Sequence, residues 1–592
     1  MAQKSVDVFT LEIIQEGLIS AAEEMFYAFG RTSKSPVIYE VLDYACGITD
    51  DEGQLIAQAA GVPGFLGTLD LAVKQTISKH KGNIHAGDVF ITNDPYSNGT
   101  HLNDVTLIRP IIYRGTLVGF AVNKGHWSDV GGMHFGSWTS DSTEIYQEGL
   151  FFPIIKLYDR GNPLNDLIDL IRHNVRIPEM TTGDMYAQEA SLRVAARRVE
   201  EMCARYGLGA MEQAIQRILA GGERVTAQAL KRLPHGTFEA EDFIDDDGID
   251  ERPIPVKVRV TISPHQFVVD LRGSSRQTAG SINAPYPASL CTAKATFKAI
   301  TSPHAPANDG NFRALQLLTD PGSIFHALPP SPVSTYWETD SYVGDLIMKA
   351  LAPHIPEQLP AGHFLSVCGT LLGGYDEERK QRFAIVEPQP GGWGATATHD
   401  GQNGQFCLGD GETLNMSNEV IEARYPIRVE QYSLNIEAGT GAGKNRGGYG
   451  VVKDYRVLCE QASFTASFGR AKFPPWGLQG GNVGTCNRFW IMRSGVAPEK
   501  HGKIAAAKLF RGDMVRLATG GGGGYGTPID RDPDAVRSDV MDELSTIDQA
   551  RKIYAVVINP QTLEVEHEAT RALREQRKKP TASRESPIGR MA

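Results

Sequence analysis

Two stretches decide the fold, GDVFITNDPYSNGTHLNDVTL (residues 87–107) and LVGFAVNKGHWSDVGGMHFGS (residues 117–137). Each opens with a run of β-branched and aromatic residues, which favours a strand. A polar loop with a turn at Gly99 follows the first strand. Because the side chains of a strand alternate between its two faces, the end of the second strand, at His126, can lie beside that loop. The two stretches therefore predict a sheet with a polar site at the ends of its strands.

The polar residues of these stretches include His101, Asp104 and His126, which suit a divalent metal ion. Imidazole nitrogens and carboxylate oxygens are ligands for Zn²⁺, Mn²⁺ and Fe²⁺. Two histidines with one or two carboxylates leave a position for water, whose pKa a metal lowers toward about 7. The competing interpretation is a set of turn and capping hydrogen bonds, which His and Asp commonly make in Gly-rich loops. His134 and Asp129 are equally available, so the residue types alone do not select the ligands.

The composition argues against several classes of protein. The 592 residues include 59 Lys+Arg and 70 Asp+Glu, a net charge of −11, which disfavours nucleic acid or an anionic membrane surface as the main partner. Hydrophobic residues make up 41% and charged residues 22%, as in ordinary globular proteins. No window approaches the ~18 apolar residues of a membrane helix, and the opening MAQKSVDVFTLEII lacks an apolar secretion signal. We therefore expect a cytoplasmic protein.

The seven cysteines are spread along the chain, and no two of them form a CxxC pair. This pattern disfavours both a thiolate metal motif and a disulfide framework. We predict reduced and mostly buried thiols.

Hydrophobic periodicity predicts a mixed α/β (α+β) fold. Thr10 is the predicted cap of an N-terminal helix, and the segment VIYEVLDYACGI (37–48) is predicted as a strand. Apolar residues at helical spacing then predict helices over 162–233, and alternating apolar and polar residues predict strands after them. Short strands separated by glycines are predicted over most of 380–530. A helix over 534–554 and the short strand AVVI come before the end of the chain.

We divide the chain into five segments on this basis. An α/β region carries the predicted metal site, a helical segment follows, and a second α/β region leads to a β-rich C-terminal domain with a final helix and then a basic tail. The predicted bounds are 1–160, 161–235, 236–420, 421–560 and 561–592. The tail is rich in Arg and Lys and poor in apolar residues, which is typical of a mobile or partner-binding end.

Nucleotide-binding motifs are missing from the sequence. AGTGAGKN (438–445) is similar to a phosphate loop, but Ala438 replaces its first Gly, and Asn445 stands where Mg²⁺ binding needs Ser or Thr. Prolines rather than a helix follow the glycine run 520–524, so backbone packing is favoured there over a phosphate cradle. GxSxG, HExxH and protein-kinase motifs are also missing. We predict no cofactor-binding residues of this type and expect any ATP chemistry in another chain.

Seven motifs in order make the chain resemble the hydantoinase B/oxoprolinase family from about residue 10 to residue 558. They are RTSKSPVIYEVLDYA (31–45), NDPYSNGTHLNDV (93–105), SINAP (281–285), ETLNMSNEVIEARYPIRVEQY (412–432), GAGKNRGGYGVVKDYRV (441–457), RAKFPPWGLQGG (470–481) and GGGGYGTPIDRDPDAVRSDV (521–540). The family includes B-type components of ATP-dependent N-methylhydantoinases, the C-terminal part of 5-oxoprolinases, caprolactamase B, and subunits of acetone and acetophenone carboxylases.

This resemblance implies a two-component enzyme. A separate A-type subunit with an actin-like ATPase fold uses ATP and Mg²⁺ to phosphorylate a carbonyl or enol oxygen of a small-molecule substrate, and the B-type subunit holds a metal near the reacting carbon. Phosphorylation turns the oxygen of an amide into a leaving group or traps the enol of a ketone. A large apolar interface and a symmetric hetero-oligomer are implied as well.

By the same resemblance, the metal ligands are Asp43, His101, Asp104 and His126, with zinc favoured over manganese or iron. Asp43 lies in the motif at 31–45, in which Glu40 is a neighbouring carboxylate.

Other residues near these ligands remain open to more than one interpretation. Many relatives have Arg or Lys between the two acids of the motif at 31–45, where this chain has Val41-Leu42. His134 and Asp129 are candidates for acid–base or outer-shell groups, although loop hydrogen bonds are favoured for both.

The leading hypothesis is the B-type subunit of an ATP-dependent hydrolase that acts on cyclic amides such as hydantoins, lactams or oxoproline. A ketone carboxylase subunit shares every motif and is the alternative. A non-catalytic scaffold copy is a third hypothesis, which the three convergent ligands disfavour. The Gly-rich loops at 441–450 and 520–526 are candidates for an interface or a substrate channel, with backbone packing at least as well supported.

Overall fold

A computed structural model describes residues 6–578. The first element is helix α1 (Val8–Thr32), whose buried face is formed by apolar residues at helical spacing, among them Ile14, Leu18 and Met25. The predicted cap at Thr10 is wrong, because the carboxylate of Asp7 accepts a hydrogen bond from the Thr10 amide and begins the helix three residues earlier.

The largest sheet has seven strands, and all of its neighbouring strands are antiparallel. Its order is β2-β1-β5-β4-β3-β6-β7. The strands are β1 (Tyr44–Asp50), β2 (Leu55–Gln58), β3 (Val89–Thr92), β4 (Asp104–Tyr113), β5 (Thr116–His126), β6 (Ile155–Asp159) and β7 (Asn162–Pro163). The central pair, β4 and β5, comes from the two stretches that predicted the sheet.

The strand predicted over 37–48 is wrong in its first half. Pro36 opens a short helix, α2 (Pro36–Tyr39), and the chain turns at Leu42, whose φ is 64°, before β1 begins. Proline is well suited to the first turn of a helix, and the apolar run alone did not separate a helical turn from a strand.

Helices cover this sheet. The short helices α3 (Pro63–Leu66) and α4 (Leu69–Lys79) follow β2, whereas α5 (Asn165–Asn174), α6 (Pro178–Tyr206) and α7 (Leu208–Leu230) follow β7. One apolar core joins α1, α6 and α7 to the strands, through residues such as Met25, Leu107 and Leu192. The predicted helical segment is therefore present, and it forms one core with the sheet.

A second sheet of four strands has the order β11-β10-β9-β8, in which only the pair β10 and β11 is parallel. Its strands are β8 (Gly236–Ile244), β9 (Ile254–Ile262), β10 (Phe267–Asp270) and β11 (Leu315–Leu318). Helices α8 (Tyr286–Thr301) and α9 (Trp337–Leu351) pack on it. Every residue of α9 except Lys349 is buried, so this helix runs through the interior.

Two further antiparallel sheets form the β-rich part. One has the order β13-β12-β16-β19, and the other has the order β14-β15-β20-β17-β18. Their strands are β12 (Gly369–Asp376), β13 (Gln381–Glu387), β14 (Ile427–Leu434), β15 (Val451–Val457), β16 (Gln461–Ser467), β17 (Arg488–Met492), β18 (Glu499–His501), β19 (Lys503–Phe510) and β20 (Met514–Ala518). Helix α10 (Asn418–Arg424) precedes β14.

Glycine-rich segments outside these sheets cross one another at 520–524. The Gly522 amide donates to the carbonyl of Gly448 (3.0 Å), and the Gly522 carbonyl accepts from the amide of Gly441 (2.9 Å). A Cβ atom on Gly522 would overlap the carbonyl oxygen of Trp393. The glycine run is thus a site of backbone packing, which leaves no room for side chains at these positions.

The C-terminal helix predicted over 534–554 is two helices, α11 (Pro533–Met541) and α12 (Ile547–Tyr554). The break occurs because Thr546 starts a new helix through a reciprocal capping pair with Gln549. AVVI makes only one isolated bridge, from Ile558 to Val565, and is not a strand.

The predicted basic tail starts with a helix, α13 (His567–Lys578). The Arg574 guanidinium donates to the carbonyl of Arg531 (2.6 Å), which attaches this helix to the preceding ones. The remaining tail residues, among them Arg584 and Arg590, lie outside the described range.

The mixed α/β fold class is confirmed. The seven cysteines are free thiols, six of them buried, as the sequence predicted. Within residues 6–578, no helix combines the length and the apolarity needed to cross a membrane.

Candidate metal centre

The pairing of β4 with β5 brings two predicted ligands together. Asp104, the first residue of β4, lies directly opposite His126, the last residue of β5. His101 precedes β4 in a tight turn, in which its carbonyl accepts the amide of Asp104 (3.1 Å). Local pairing of adjacent strands is therefore enough to cluster these three side chains.

The three ligand atoms are in mutual contact. Asp104 Oδ1 lies 3.0 Å from His101 Nε2 and 3.2 Å from His126 Nδ1, and the two nitrogens are 3.2 Å apart. Ligand atoms that share one first-row ion at bond lengths of about 2.0–2.2 Å are separated by similar distances. Among the described residues, His101, Asp104 and His126 form the one group of three or more such side chains close enough to hold a metal ion.

Hydrogen bonding orients His101 for this role. Its Nδ1 lies 3.0 Å from the carbonyl oxygen of Ser334, which can only accept, so Nδ1 is assigned the proton and Nε2 presents its lone pair to the cluster. A bond of this kind to the second nitrogen is typical of metal-binding histidines. The His126 ring adds an unusual feature, because its Nε2 is buried without a hydrogen-bond partner among the described residues. The observation that fits a bound cation is the convergence of His101 Nε2, Asp104 Oδ1 and His126 Nδ1 on one point.

The second oxygen of Asp104 is held separately. The hydroxyl of Thr100 donates to Asp104 Oδ2, which leaves Oδ1 for the cluster. Burial raises the pKa of Asp104, but positive charge on the His101 and His126 imidazoles outweighs this effect and lowers the pKa well below its ordinary value; a cation bound between two neutral imidazoles would act in the same direction. Asp104 therefore remains a carboxylate in a fully buried position.

Asp43 lies at the margin of the cluster. Its Oδ2 is 3.7 Å from His126 Nδ1, and its carbonyl accepts the His126 amide (3.1 Å). Burial raises the pKa of Asp43 to about 7, and the His126 imidazole opposes part of that rise. The alternative carboxylate, Glu40, caps the end of α2 outside the cluster.

His134 and Asp129 have other partners. His134 Nε2 lies 3.1 Å from Asp141 in a partly exposed loop. The buried Asp129 carboxylate accepts the amides of Gly131 and Gly136 and pairs with the Arg176 guanidinium at 3.2 Å. Both residues thus make the loop interactions that the competing interpretation expected.

A cavity opens onto the cluster. Its walls come from α3, α9, the strand pair β12 and β13, and the loop that carries Asp410. The rings of Tyr336 and Trp337 pack against the His101 ring with centroids 5.3 and 5.6 Å away. Asp43, His101 and His126 line the same space.

Sequence reasoning missed the more distant cavity residues. Asp340 and Asp410 line the cavity, and burial raises the pKa of each to about 7. Glu387 also lines it and pairs with the fully buried Lys453 at 3.0 Å. No local pattern marks these residues, because segments from widely separated parts of the chain assemble the wall.

The chain is similar to known proteins over most of its length. The hydantoinase B/oxoprolinase family model matches residues 7–528. An uncharacterised protein of Methanocaldococcus jannaschii is 35% identical over 558 residues, which is 93% of this chain and 96% of that protein. A protein of Pseudomonas sp. (strain NS671), named as the B component of a D-/L-hydantoinase, is 29% identical over 594 residues, which is 96% of this chain and 98% of that one.

Two solved structures share the fold. The crystal structure of ATP-dependent caprolactamase from Pseudomonas jessenii matches with a TM-score of 0.90 at 27% identity, over 97% of this chain and 100% of that chain. A nucleotide-free structure of acetone carboxylase matches with a TM-score of 0.88 at 19% identity, over 96% and 83% of the two chains. At 19% identity, the likeness to acetone carboxylase shows a shared fold and nothing more.

Proposed function

We propose that this chain, which belongs to the hydantoinase B/oxoprolinase family, is the metal-binding subunit of an ATP-dependent enzyme that opens cyclic amides. The observation that carries the proposal is the buried contact of His101 Nε2, Asp104 Oδ1 and His126 Nδ1 at 3.0–3.2 Å, at the wall of a cavity. A mere scaffold copy has no need of such a cluster.

ATP use is assigned to a separate A-type subunit. The segment at 438–445 that is similar to a phosphate loop is part of the glycine crossing, where its backbone bonds to that of other segments. The relative from Pseudomonas sp. is named as one component of a hydantoinase, and the caprolactamase is titled ATP-dependent. We infer that the partner phosphorylates the amide oxygen with ATP and Mg²⁺, and that this chain receives the activated ring.

His101, Asp104 and His126 would hold a divalent ion, zinc in preference to manganese or iron, with Asp43 as the fourth ligand. Such an ion supplies Lewis-acid polarisation of a carbonyl group and a water of lowered pKa. Ser334 and Thr100 orient two of the ligands, and Tyr336 and Trp337 shield them from bulk water.

The first test measures the metal. Elemental mass spectrometry of the purified protein should find close to one zinc, manganese or iron per chain. Replacement of both His101 and His126 by Ala should remove the metal while circular dichroism reports a folded chain. His134→Ala, a substitution of the same type in a partly exposed loop, should keep the metal. Absence of metal from the unaltered protein would contradict the proposal.

The second test separates hydrolysis from carboxylation. A complex reconstituted with the A-type subunit should open a hydantoin or a lactam and consume ATP in proportion. Incorporation of labelled bicarbonate into acetone or acetophenone, without ring opening of any cyclic amide, would instead support the carboxylase alternative.

A further inference from the structure

Two buried hydrogen-bond donors at the cavity wall lack a partner among the described residues. Trp337 is 8% exposed and Thr413 is 3% exposed, and both side chains line the cavity. Neither Trp337 Nε1 nor Thr413 Oγ1 makes a hydrogen bond within residues 6–578. An indole N–H can only donate and a hydroxyl can donate, so both groups suit a ligand that is rich in acceptors. Buried donors of this kind are costly unless a ligand or solvent satisfies them.

The indole of Trp337 is held with its N–H edge beside a glycine of the cavity wall. Its ring packs edge-on against the rings of His101 and Trp138, with centroids 5.6 and 5.3 Å away. Gly369 also lines the cavity, and a Cβ atom on it would lie 3.2 Å from Cζ2 and 3.6 Å from Cε2 of the indole, on the side of the ring that carries Nε1. The glycine therefore keeps a side chain away from the N–H, one ring away from the predicted metal ligands.

The hydroxyl of Thr413 is held on the other segment that borders the cluster. The Thr413 amide donates to the carbonyl of Asp410 (3.3 Å), and the amide of the next residue, Leu414, donates to the carbonyl of Val41 (2.9 Å). Val41 lies two residues before Asp43. Thr413 is thus attached to the segment that carries Asp43, whereas Trp337 contacts His101.

The charges around the cavity constrain how it can bind an acceptor-rich ligand. Among the described residues that line it, none is a lysine or an arginine. Glu387 is offset by the buried Lys453 at 3.0 Å, and burial raises the pKa of Asp340 and of Asp410 to about 7, so much of each is the uncharged acid near neutral pH. An anionic group would therefore be held by uncharged donors, with a divalent cation at the cluster to balance its charge.

We propose that Trp337 Nε1 and Thr413 Oγ1 bind the phosphoryl group of the activated ring and so hold the carbon that bears this group beside the metal site. A phosphoryl group presents three strong acceptor oxygens, whereas the ring before activation presents a single carbonyl oxygen in the same place. The two donors thereby favour the activated ring over its precursor. This assignment rests on the proposed function and adds how the cavity recognises the product of the partner's reaction.

A stable pair of compounds tests the recognition. Phenyl phosphate carries a phosphoryl group on the oxygen of an sp² ring carbon, and phenol is the same ring without it. We would titrate the full chain, loaded with zinc, with each compound by isothermal titration calorimetry. Phenyl phosphate should bind at least tenfold more tightly than phenol. Equal affinities, tighter binding of phenol, or no binding of phenyl phosphate would overturn the proposal.

Two variants connect this preference to the two donors. Thr413→Val removes a hydroxyl that bonds to none of the described residues, so the melting temperature should not change. Trp337→Phe removes the N–H and keeps an aromatic ring beside His101. Each substitution should lower the affinity for phenyl phosphate at least tenfold, the effect of one hydrogen bond to a charged group, and should leave the affinity for phenol unchanged.

Thr339→Val is the matched control. Thr339 is fully buried on α9, its hydroxyl also lacks a partner within residues 6–578, and it does not line the cavity. Its substitution should leave the binding of phenyl phosphate unchanged. Equal affinities of the Thr413→Val and Thr339→Val variants would overturn the assignment. So would a loss of zinc affinity in Thr413→Val and Trp337→Phe, measured with a chromophoric chelator, that accounts for the loss of phenyl phosphate binding.

These titrations use neither ATP nor the partner subunit. In the reconstituted complex, Thr413→Val should raise the number of ATP molecules consumed for each ring opened, because the activated ring is held less tightly. Absence of ring opening by the unaltered complex, with the preference for phenyl phosphate and its loss in the variants intact, would contradict the proposed function alone. Ring opening with the same ATP consumption in Thr413→Val, Trp337→Phe and the unaltered chain would contradict the recognition assignment alone.

Discussion

The carbonyl oxygen of Ser334 lies 3.0 Å from Nδ1 of His101, although the two residues are 233 positions apart in the chain. The amide of Ser334 in turn donates to Glu148 Oε1 (3.0 Å). These two hydrogen bonds orient the His101 ring from outside the sheet. The geometry of the proposed metal site therefore depends on contacts that lie beyond its own strands.

Removal of the Thr100 hydroxyl should weaken metal binding. Thr100→Val deletes the donor to Asp104 Oδ2 and frees that carboxylate to rotate, so we expect a 10- to 100-fold loss of zinc affinity. Competition with a chromophoric zinc chelator measures the change. Thr106→Val serves as the control, because this buried threonine lies in β4 and its hydroxyl has no partner in the described part of the chain. Equal zinc affinities of the two variants would contradict the prediction.

Glu148 should make stability depend on pH. Burial raises its pKa from 4.5 to about 8, so between these values the folded chain holds a proton that the unfolded chain has lost. The stability contribution of Glu148 is therefore fully present below pH 4.5 and is lost as the pH rises toward 8.

Glu148→Gln keeps an acceptor for Ser334 and cannot ionise. Its stability relative to the unaltered chain should rise by at most about 1.4 kcal/mol per pH unit across this window and then level off above pH 8. Thermal melts at half-unit steps from pH 5 to pH 9 measure the difference. A difference that is constant with pH would show that Glu148 titrates normally.

The glycine crossing should not tolerate a methyl group. At Gly522 a Cβ atom would overlap the Trp393 carbonyl, and backbone on both sides prevents relaxation, so Gly522→Ala should yield little folded protein. Gly221, within α7, has open space where its Cβ would lie. Gly221→Ala should raise the free energy of unfolding by about 0.5–1 kcal/mol, because alanine favours helix more than glycine does. The soluble yields and the chemical denaturation of the Gly522→Ala and Gly221→Ala variants measure these effects.

The buried pair of Lys453 and Glu387 should be intolerant of single substitutions. Both side chains are fully buried and 3.0 Å apart, so Lys453→Met leaves an uncompensated carboxylate and should lower stability by about 3–5 kcal/mol. Lys552 forms an exposed ion pair with Asp548 on a helix, and Lys552→Met should change stability by less than about 1 kcal/mol. The double variant Lys453→Met with Glu387→Gln should regain part of the lost free energy of unfolding, which urea denaturation measures. If the double variant is no more stable than Lys453→Met alone, the charge argument is wrong.

Much of this protein could be predicted from the sequence. The strands β4 and β5, the long helices α6 and α7 and the packing of the glycine run depend on local periodicity or on residues without a Cβ. The cluster of His101, Asp104 and His126 also belongs here, because all three lie within 26 residues and antiparallel pairing of neighbouring strands brings them together. The errors at Thr10, at 37–48 and at 534–554 concern caps and turns, where one hydrogen bond changes a boundary.

Only the tertiary structure decided how that cluster is oriented and what faces it. Ser334 sets the protonated nitrogen of His101, and α9 and the Asp410 loop supply Trp337, Asp340 and Asp410 to the cavity wall. These groups come from positions 230–310 residues further along the chain, and no periodicity or spacing relates them to His101. Hydrophobic burial of α9 against the second sheet places Trp337 and Asp340 there, and that packing depends on the whole fold rather than on any local pattern.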